Sequence, residues 1–278
     1  MKIAFIGGGN MAAALIAGLA GKLAPGANIH VVDPNPASLE KLRQEYGVTV
    51  AAAAGEPVAA AEVLVLAVKP QVMHEVTQQL LPLLQAAQAA GRSPLVLSIA
   101  AGIRAADLSR WLGGYQAIVR TMPNTPALIG MGVTGMVASA GVSVQQREAA
   151  DQILRAVGAT VWLDDEAKID AVTAVSGSGP AYVFYFIEAM QQAAEELGLT
   201  AEQGKALAMA TFTGAAQLAL QSPDPVPVLR EKVTSKGGTT YAALTSMEAS
   251  GVKASIIAAV KAAAARGKEL GEQLGAAG

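Results

Sequence analysis

A chain of 278 residues has room for about two domains at roughly 150 residues each. Hydrophobic residues make up 52% and charged residues 15%, with a mean hydropathy of +0.39, so the chain must fold or enter a membrane and cannot be a disordered polyelectrolyte. Twenty Lys and Arg against 22 Asp and Glu create no field able to gather nucleic-acid phosphates, and no nucleic-acid partner is expected. The chain has no cysteine and only two histidines, His30 and His74. That removes disulfide scaffolds, thiolate and multi-histidine metal sites, and Cys or Ser-His-Asp nucleophiles, so no metal is expected and a cofactor must carry any chemistry.

The start of the chain imitates a signal peptide, with Lys2 ahead of an apolar stretch reaching Ala20. Gly7-Gly8-Gly9-Asn10 interrupts that stretch, and glycine inside a helix costs about 1 kcal/mol per residue. A strand over 2–6, a tight turn and a helix over 10–20 fit better. The same rhythm continues with strands predicted over 29–32, 63–68, 95–99 and 117–120 and a weak one near Val48. Helices are predicted between them over 37–46, 72–90 and 105–112, then a further strand segment over 132–138 and a helix over 143–157. Continuously apolar strands separated by helices indicate a doubly wound parallel sheet covered on both faces.

The uncharged run 121–146 is broken by Pro123, Pro126, Gly130, Gly132, Gly135 and Gly141, so it holds no apolar span of about 20 residues. No membrane association is expected, and the protein reads as soluble and cytoplasmic. Beyond Val161-Trp162-Leu163 the pattern becomes all-helical, with segments over 166–175, 181–197, 201–220, 226–233, 240–249 and 252–274. Several are apolar nearly all round, as in Ala206-Leu207-Ala208-Met209-Ala210, and such helices need cover that a second chain would supply. The expected division is therefore an α/β domain over 1–163 and a helical domain over 164–278.

Gly7-Gly8-Gly9-Asn10-Met11-Ala12 fits the dinucleotide fingerprint between a strand and a helix. There Gly7 makes the turn, Gly9 lets a pyrophosphate approach, and the helix start offers free N–H groups. Asp33 stands at the end of the second strand, where a carboxylate accepts from a ribose hydroxyl or simply shapes the turn Asp33-Pro34-Asn35-Pro36. NAD(H) and NADP(H) both stay open, with a lean to NAD(H) because no Lys or Arg lies between Asp33 and Lys41.

Ala67-Val68-Lys69-Pro70 ends another strand at the carboxyl edge of the sheet. Lys69 is placed there to touch the cofactor or to be a solvated strand end. The stiff loop Met122-Pro123-Asn124-Thr125-Pro126 either walls a nicotinamide pocket or is a rigid connection. Two loops rich in Gly, Ser and Thr precede long helices: Ser176-Gly177-Ser178-Gly179-Pro180 and Thr234-Ser235-Lys236-Gly237-Gly238-Thr239-Thr240. Either can present N–H groups and hydroxyls to a small carboxylate, or merely cap its helix or permit a close helix crossing.

Taken together these segments resemble the pyrroline-5-carboxylate reductase family over essentially the whole chain. The last two loops, with Ala181-Tyr182 and Val233 beside them, are the most specific carriers. The resemblance implies a Rossmann domain followed by a helical dimerisation domain that interlocks with a second subunit, with dimers often built into larger rings. It also implies hydride transfer from NADPH or NADH to the C=N carbon of 1-pyrroline-5-carboxylate, giving L-proline.

Carried over by motif, Gly7, Gly9, Asn10, Met11, Asp33, Ala67, Val68, Lys69, Pro70 and Asn124 would bind the cofactor. Ser176, Ser235, Gly238, Thr239 and Thr240 would bind substrate, with the Thr240 hydroxyl at the ring nitrogen as the catalytic group. Lys236 departs from the family's usual Pro. Two related dehydrogenase classes fit the architecture less well. A β-hydroxyacid dehydrogenase needs a Lys that 181–187 lacks, and a prephenate dehydrogenase needs a catalytic His. A nucleotide sensor without turnover would have no use for the second anion-binding loop.

Overall fold

The computed structural model describes residues 1–276. Eight strands form one sheet: β1 (Ile3–Ile6), β2 (Ile29–Val32), β3 (Thr49–Ala51), β4 (Val63–Leu66), β5 (Leu95–Ser98), β6 (Ile118–Met122), β7 (Gly132–Ala138) and β8 (Gly158–Trp162). Their order is β3-β2-β1-β4-β5-β6-β7-β8, and its first six strands follow the dinucleotide-binding order 3-2-1-4-5-6. Helices α1 (Asn10–Leu19), α2 (Pro36–Tyr46), α3 (Glu56–Ala59), α4 (Met73–Ala89), α5 (Ala105–Trp111) and α6 (Val144–Arg155) lie in the connections.

Alternate residues of the strands feed two cores. Ile3 and Phe5 pack with Leu15, Ile16, Leu97, Ile153 and Leu154 on one face. Ala4 and Ile6 pack with Leu64, Leu80, Leu84, Leu108 and Trp111 on the other. Burial on both faces is why the strands read as unbroken apolar runs.

Three features depart from the expected pattern. The β6–β7 pair is antiparallel, because the nine residues between them, 123–131, are too few for a parallel crossover of about a dozen. Strand β8 was not anticipated: it alternates between exposed and half-buried residues and so shows no apolar run. In place of one helix over 166–175 there are a 3-10 turn (Glu166–Lys168), α7 (Ile169–Val172) and a π-helical turn (Thr173–Gly177).

The remaining helices are α8 (Gly179–Glu196), α9 (Ala201–Gln221), α10 (Val226–Lys232), α11 (Thr239–Ala249) and α12 (Val252–Ala276). Contacts divide the chain into two compact units: Met1–Ser178 with the chain from Ala263 onward, and Gly179–Ala262. The change of rhythm near 163 marks the end of β8 rather than this division. The last turns of α12 pack within the first unit, where Arg110 Nη2 donates to the Gly275 carbonyl at 2.7 Å. Arg104 pairs there with Glu272 at 3.7 Å, and a Cβ on Gly275 would lie 2.5 Å from Asp107 Oδ2. Among the described residues no helix is long and apolar enough to cross a membrane.

Candidate active site

At the carboxyl edge of the sheet, where strand order reverses between β1 and β4, lies a cleft of about 560 Å³. Gly7, Gly9, Asp33, Ala67, Val68 and Lys69 all line it. Gly7 has φ +104°, and a Cβ there would lie 2.6 Å from the Ala67 carbonyl oxygen, so only glycine lets β1 turn this closely against β4. A Cβ on Gly9 would meet no protein atom within 4 Å, so the space beside its backbone opens into the cleft.

Gly9 is also the N-cap of α1, with no side-chain cap and no acidic residue in the first turn. The first N–H groups of this helix are left for an anion. Ala12 is buried against the core, which lets α1 approach the sheet. These features fit a dinucleotide pyrophosphate by shape and by polarity.

Asp33 has two attachments in the protein: Oδ2 accepts from the Gly8 N–H at 2.7 Å and Oδ1 from the Asn35 N–H at 2.8 Å. It shapes the turn and also ties the glycine loop to the end of β2. Lys69 is exposed, and Pro70 opens a 3-10 turn beside it. Asn10 lines a neighbouring cleft with Gly8, Gly9, Ser38 and Lys41, and Met11 packs against the core. For those two residues it is the backbone at the helix start that faces an anion. The sequence reading missed Ala52, Ala53, Ala54, Val72, Glu75, Val76 and Gln79 in the cleft wall; the run of small residues 51–54 after the weak strand was the available signal.

Asn124 and Ser176, 52 residues apart in sequence, meet: Asn124 Nδ2 donates to the Ser176 carbonyl at 3.1 Å. The Ser176 hydroxyl donates to the Val172 carbonyl at 3.0 Å. Below them Arg120, 4% exposed, pairs with Glu166 at 2.8 Å, and the same Glu166 oxygen accepts the Ala105 N–H that starts α5.

In the second unit Ser235, Gly238, Thr239 and Thr240 gather at the start of α11. Gly237 has φ +74°, and Gly238 is the N-cap, with no hydroxyl satisfying the first turn. By contrast, α6 and α9 begin with full capping boxes from Ser143 and Thr200. The hydroxyls of the 234–240 loop therefore do not serve as ordinary caps, and the amides that open α11 stay free for an anion. Ser235, Lys236, Thr239 and Thr240 are exposed.

Fold and cleft together define a Rossmann-type oxidoreductase that uses a nicotinamide dinucleotide. Residues 2–102 match the family described as NADP oxidoreductase, coenzyme F420-dependent, and residues 166–270 match the family described as pyrroline-5-carboxylate reductase dimerisation. The chain is 50% identical to a pyrroline-5-carboxylate reductase of Pseudomonas aeruginosa over 99% of its own length and 98% of the relative's. Its structure is similar to that of a pyrroline-5-carboxylate reductase from Coxiella burnetii, with TM-score 0.90 and 39% identity, covering 97% and 98% of the two chains. It also resembles the Plasmodium falciparum pyrroline carboxylate reductase solved with NADP bound, with TM-score 0.84 and 29% identity over 98% of each chain. The chain belongs to the pyrroline-5-carboxylate reductase family.

Proposed function

We propose that the protein reduces the C=N bond of 1-pyrroline-5-carboxylate to L-proline, the last step of proline biosynthesis. The carrying observation is the glycine cradle for a dinucleotide in a chain 50% identical to a reductase of this name; the free amides that open α11 offer a second anion site in the other unit. Bound in the cleft, NADPH or NADH supplies a hydride. The chain's own residues orient the acceptor: the amides of Thr239 and Thr240 hold the substrate carboxylate, and Ser235 and Ser176 are assigned to the same substrate. The Gly238 N–H, expected from the sequence to join them, already donates to the Ser235 carbonyl at 3.0 Å, so Gly238 contributes the turn. The Thr240 hydroxyl hydrogen-bonds the ring nitrogen. A protonated imine carbon is already electrophilic, so as it takes the hydride and nitrogen keeps the C=N electron pair, the protein contributes mainly orientation. This agrees with a chain that has no cysteine and two histidines.

On the nucleotide side, Gly7, Gly9, Asn10, Met11, Asp33, Ala67, Val68, Lys69 and Pro70 form the binding set. Asn124, which the sequence placed with them, has both ends of its amide engaged by Ser176 and Val133 and is not counted as a direct ligand. Residues 1–163 serve nucleotide binding and 164–278 serve substrate binding and dimerisation. The working form is a cytoplasmic homodimer, built further into a ring of dimers. The match to a family described as dimerisation over 166–270 supports the dimer.

Consumption of NADPH or NADH with pyrroline-5-carboxylate, and not with prephenate or hydroxyacids, tests the reaction; turnover of either alternative alone would overturn it. Thr240→Ala keeps the amide and removes the hydroxyl. The expected result is a fall in kcat that exceeds any rise in KM, with a loss of about 1 to 3 kcal/mol. A destabilised but fully active variant would remove Thr240 from the site.

A further inference from the structure

The π-helical turn Thr173–Gly177 lies between two motifs that the reaction as described does not connect. The Ser176 carbonyl lies where the π turn passes into α8, and the residue four places on, the donor an α-helical pattern would use, is Pro180, which has no N–H. The Asn124 side chain donates to this oxygen, Nδ2 to the Ser176 carbonyl at 3.1 Å. Its other end is fixed, because Asn124 Oδ1 accepts the Val133 N–H of β7 at 2.9 Å. That second bond sets which end of the amide is oxygen. Beside it the Met122 methyl lies over Gly177, where a Cβ would come within 2.7 Å of it. One side chain thus spans the loop after β6, the start of strand β7 and the π turn.

We propose that Asn124 is a positioning residue for the hydride-transfer step, acting by holding the π turn against the carboxyl edge of the sheet. The inference rests on the reductase reading above. In a sheet of this order the two halves bind the two nucleotides on either side of the switch point. Asp33 and Ala52–Ala54 take the side of β2 and β3, which leaves the nicotinamide half to the edge formed by β4, β5 and β6. Asn124 and the π turn lie at that edge, and π turns of this kind recur at functional sites. With both ends of its amide engaged, Asn124 sets where Ser176 and Gly177 stand.

The test is Asn124→Asp in the full-length protein, which still accepts from Val133 but cannot donate to Ser176. Four quantities are read: amide hydrogen exchange over 173–178, dissociation constants for NADPH and NADH by fluorescence, kcat with KM for pyrroline-5-carboxylate, and melting temperature. Exchange over 173–178 is expected to speed up about tenfold while β1, β4 and β5 are unchanged. With it, kcat is expected to fall about tenfold at nucleotide affinities within threefold of the parent.

Unchanged exchange would overturn the proposal, and so would faster exchange with normal kcat, which would make the bond purely structural. A tenfold loss of nucleotide affinity would also overturn it, by making Asn124 a direct ligand of the cofactor. If the parent protein fails to turn over pyrroline-5-carboxylate, the reductase reading fails first, and exchange still decides whether Asn124 holds the turn. If Asn124→Asp does not fold, Asn124→Ala carries the same comparison without an added charge.

Discussion

The sheet unit and the helical unit carry similar apolar sequences and hide them to different degrees. Every residue of β1, β2, β4 and β5 is buried, because strands with apolar residues on both faces receive helices from the same chain on both faces. In the helical unit, α8 buries Ile187 and α9 buries Gly204 and Ala208. Phe184 and Tyr185 remain 65% and 72% exposed, and Leu207 and Leu220 58% and 79%. The first unit completes its own core. The second leaves these large apolar side chains exposed, a surface suited to a second copy.

The largest expected effect comes from breaking the exposed side of this contrast. Phe184→Asp places a carboxylate where the partner is expected, at a cost of about 3 kcal/mol or more per copy at an apolar interface. Light scattering should show the mass fall to that of a monomer, and activity should fall with it, while nucleotide affinity of the sheet unit stays within about twofold, since each 1.4 kcal/mol is a tenfold change. A Phe184→Asp protein that remains a fully active dimer would show that α8 does not face the partner.

The next effect belongs to the sheet unit alone. Glu166→Ala strands Arg120, which is 4% exposed, with its Nε already lacking a partner. Breaking such a pair costs about 3 kcal/mol, the low end for buried pairs because Glu166 keeps some contact with water. Urea denaturation followed by Trp fluorescence measures this. Arg120→Met with Glu166→Leu should recover most of the loss, because two apolar groups replace the pair.

Much of this arrangement could be read from the sequence, for identifiable reasons. Strands β1, β2, β4 and β5 are visible because both of their faces are buried, and the glycine loop because its spacing reflects steric need at Gly7. The β6–β7 reversal was legible only through the shortness of 123–131, a signal overlooked beside the parallel rhythm. Strand β8 hides because its burial alternates. No local pattern could show Asn124 meeting Ser176, since that contact arises from tertiary packing between motifs that read as separate loops.

A third test separates two glycines of one fingerprint. Gly9 has φ −72° and ψ −176°, a conformation valine favours, and its side chain would enter open space. Gly9→Val should therefore leave stability within about 0.5 kcal/mol while weakening nucleotide affinity about a hundredfold, close to 3 kcal/mol. Gly7→Ala should do the reverse in origin: with φ +104° and the Ala67 carbonyl in the way, it should cost about 2 kcal/mol of stability before any ligand is added. Equal melting temperatures for the two variants would contradict the assigned roles.

The smallest expected effect lies at the opposite end of the sheet, where His30 of β2 is buried. Its Nδ1 lies 2.9 Å from Thr49 Oγ1, and that hydroxyl donates to the Ile29 carbonyl at 3.3 Å, so Nδ1 carries the proton and donates. Nε2 is then a bare acceptor, buried and without a partner, and burial lowers the His30 pKa. The unfolded chain, with an ordinary value of about 6.5, takes up its proton first as pH falls. Stability that is full above that value should decline from there down to the lowered folded pKa and change no further from this cause below it. The melting temperature should drop by no more than about 4 °C across that interval. His30→Gln should remove that slope while leaving the rest of the acid profile intact. If the parent and His30→Gln curves run parallel between pH 7 and pH 5, the proton on His30 is not what the folded sheet excludes.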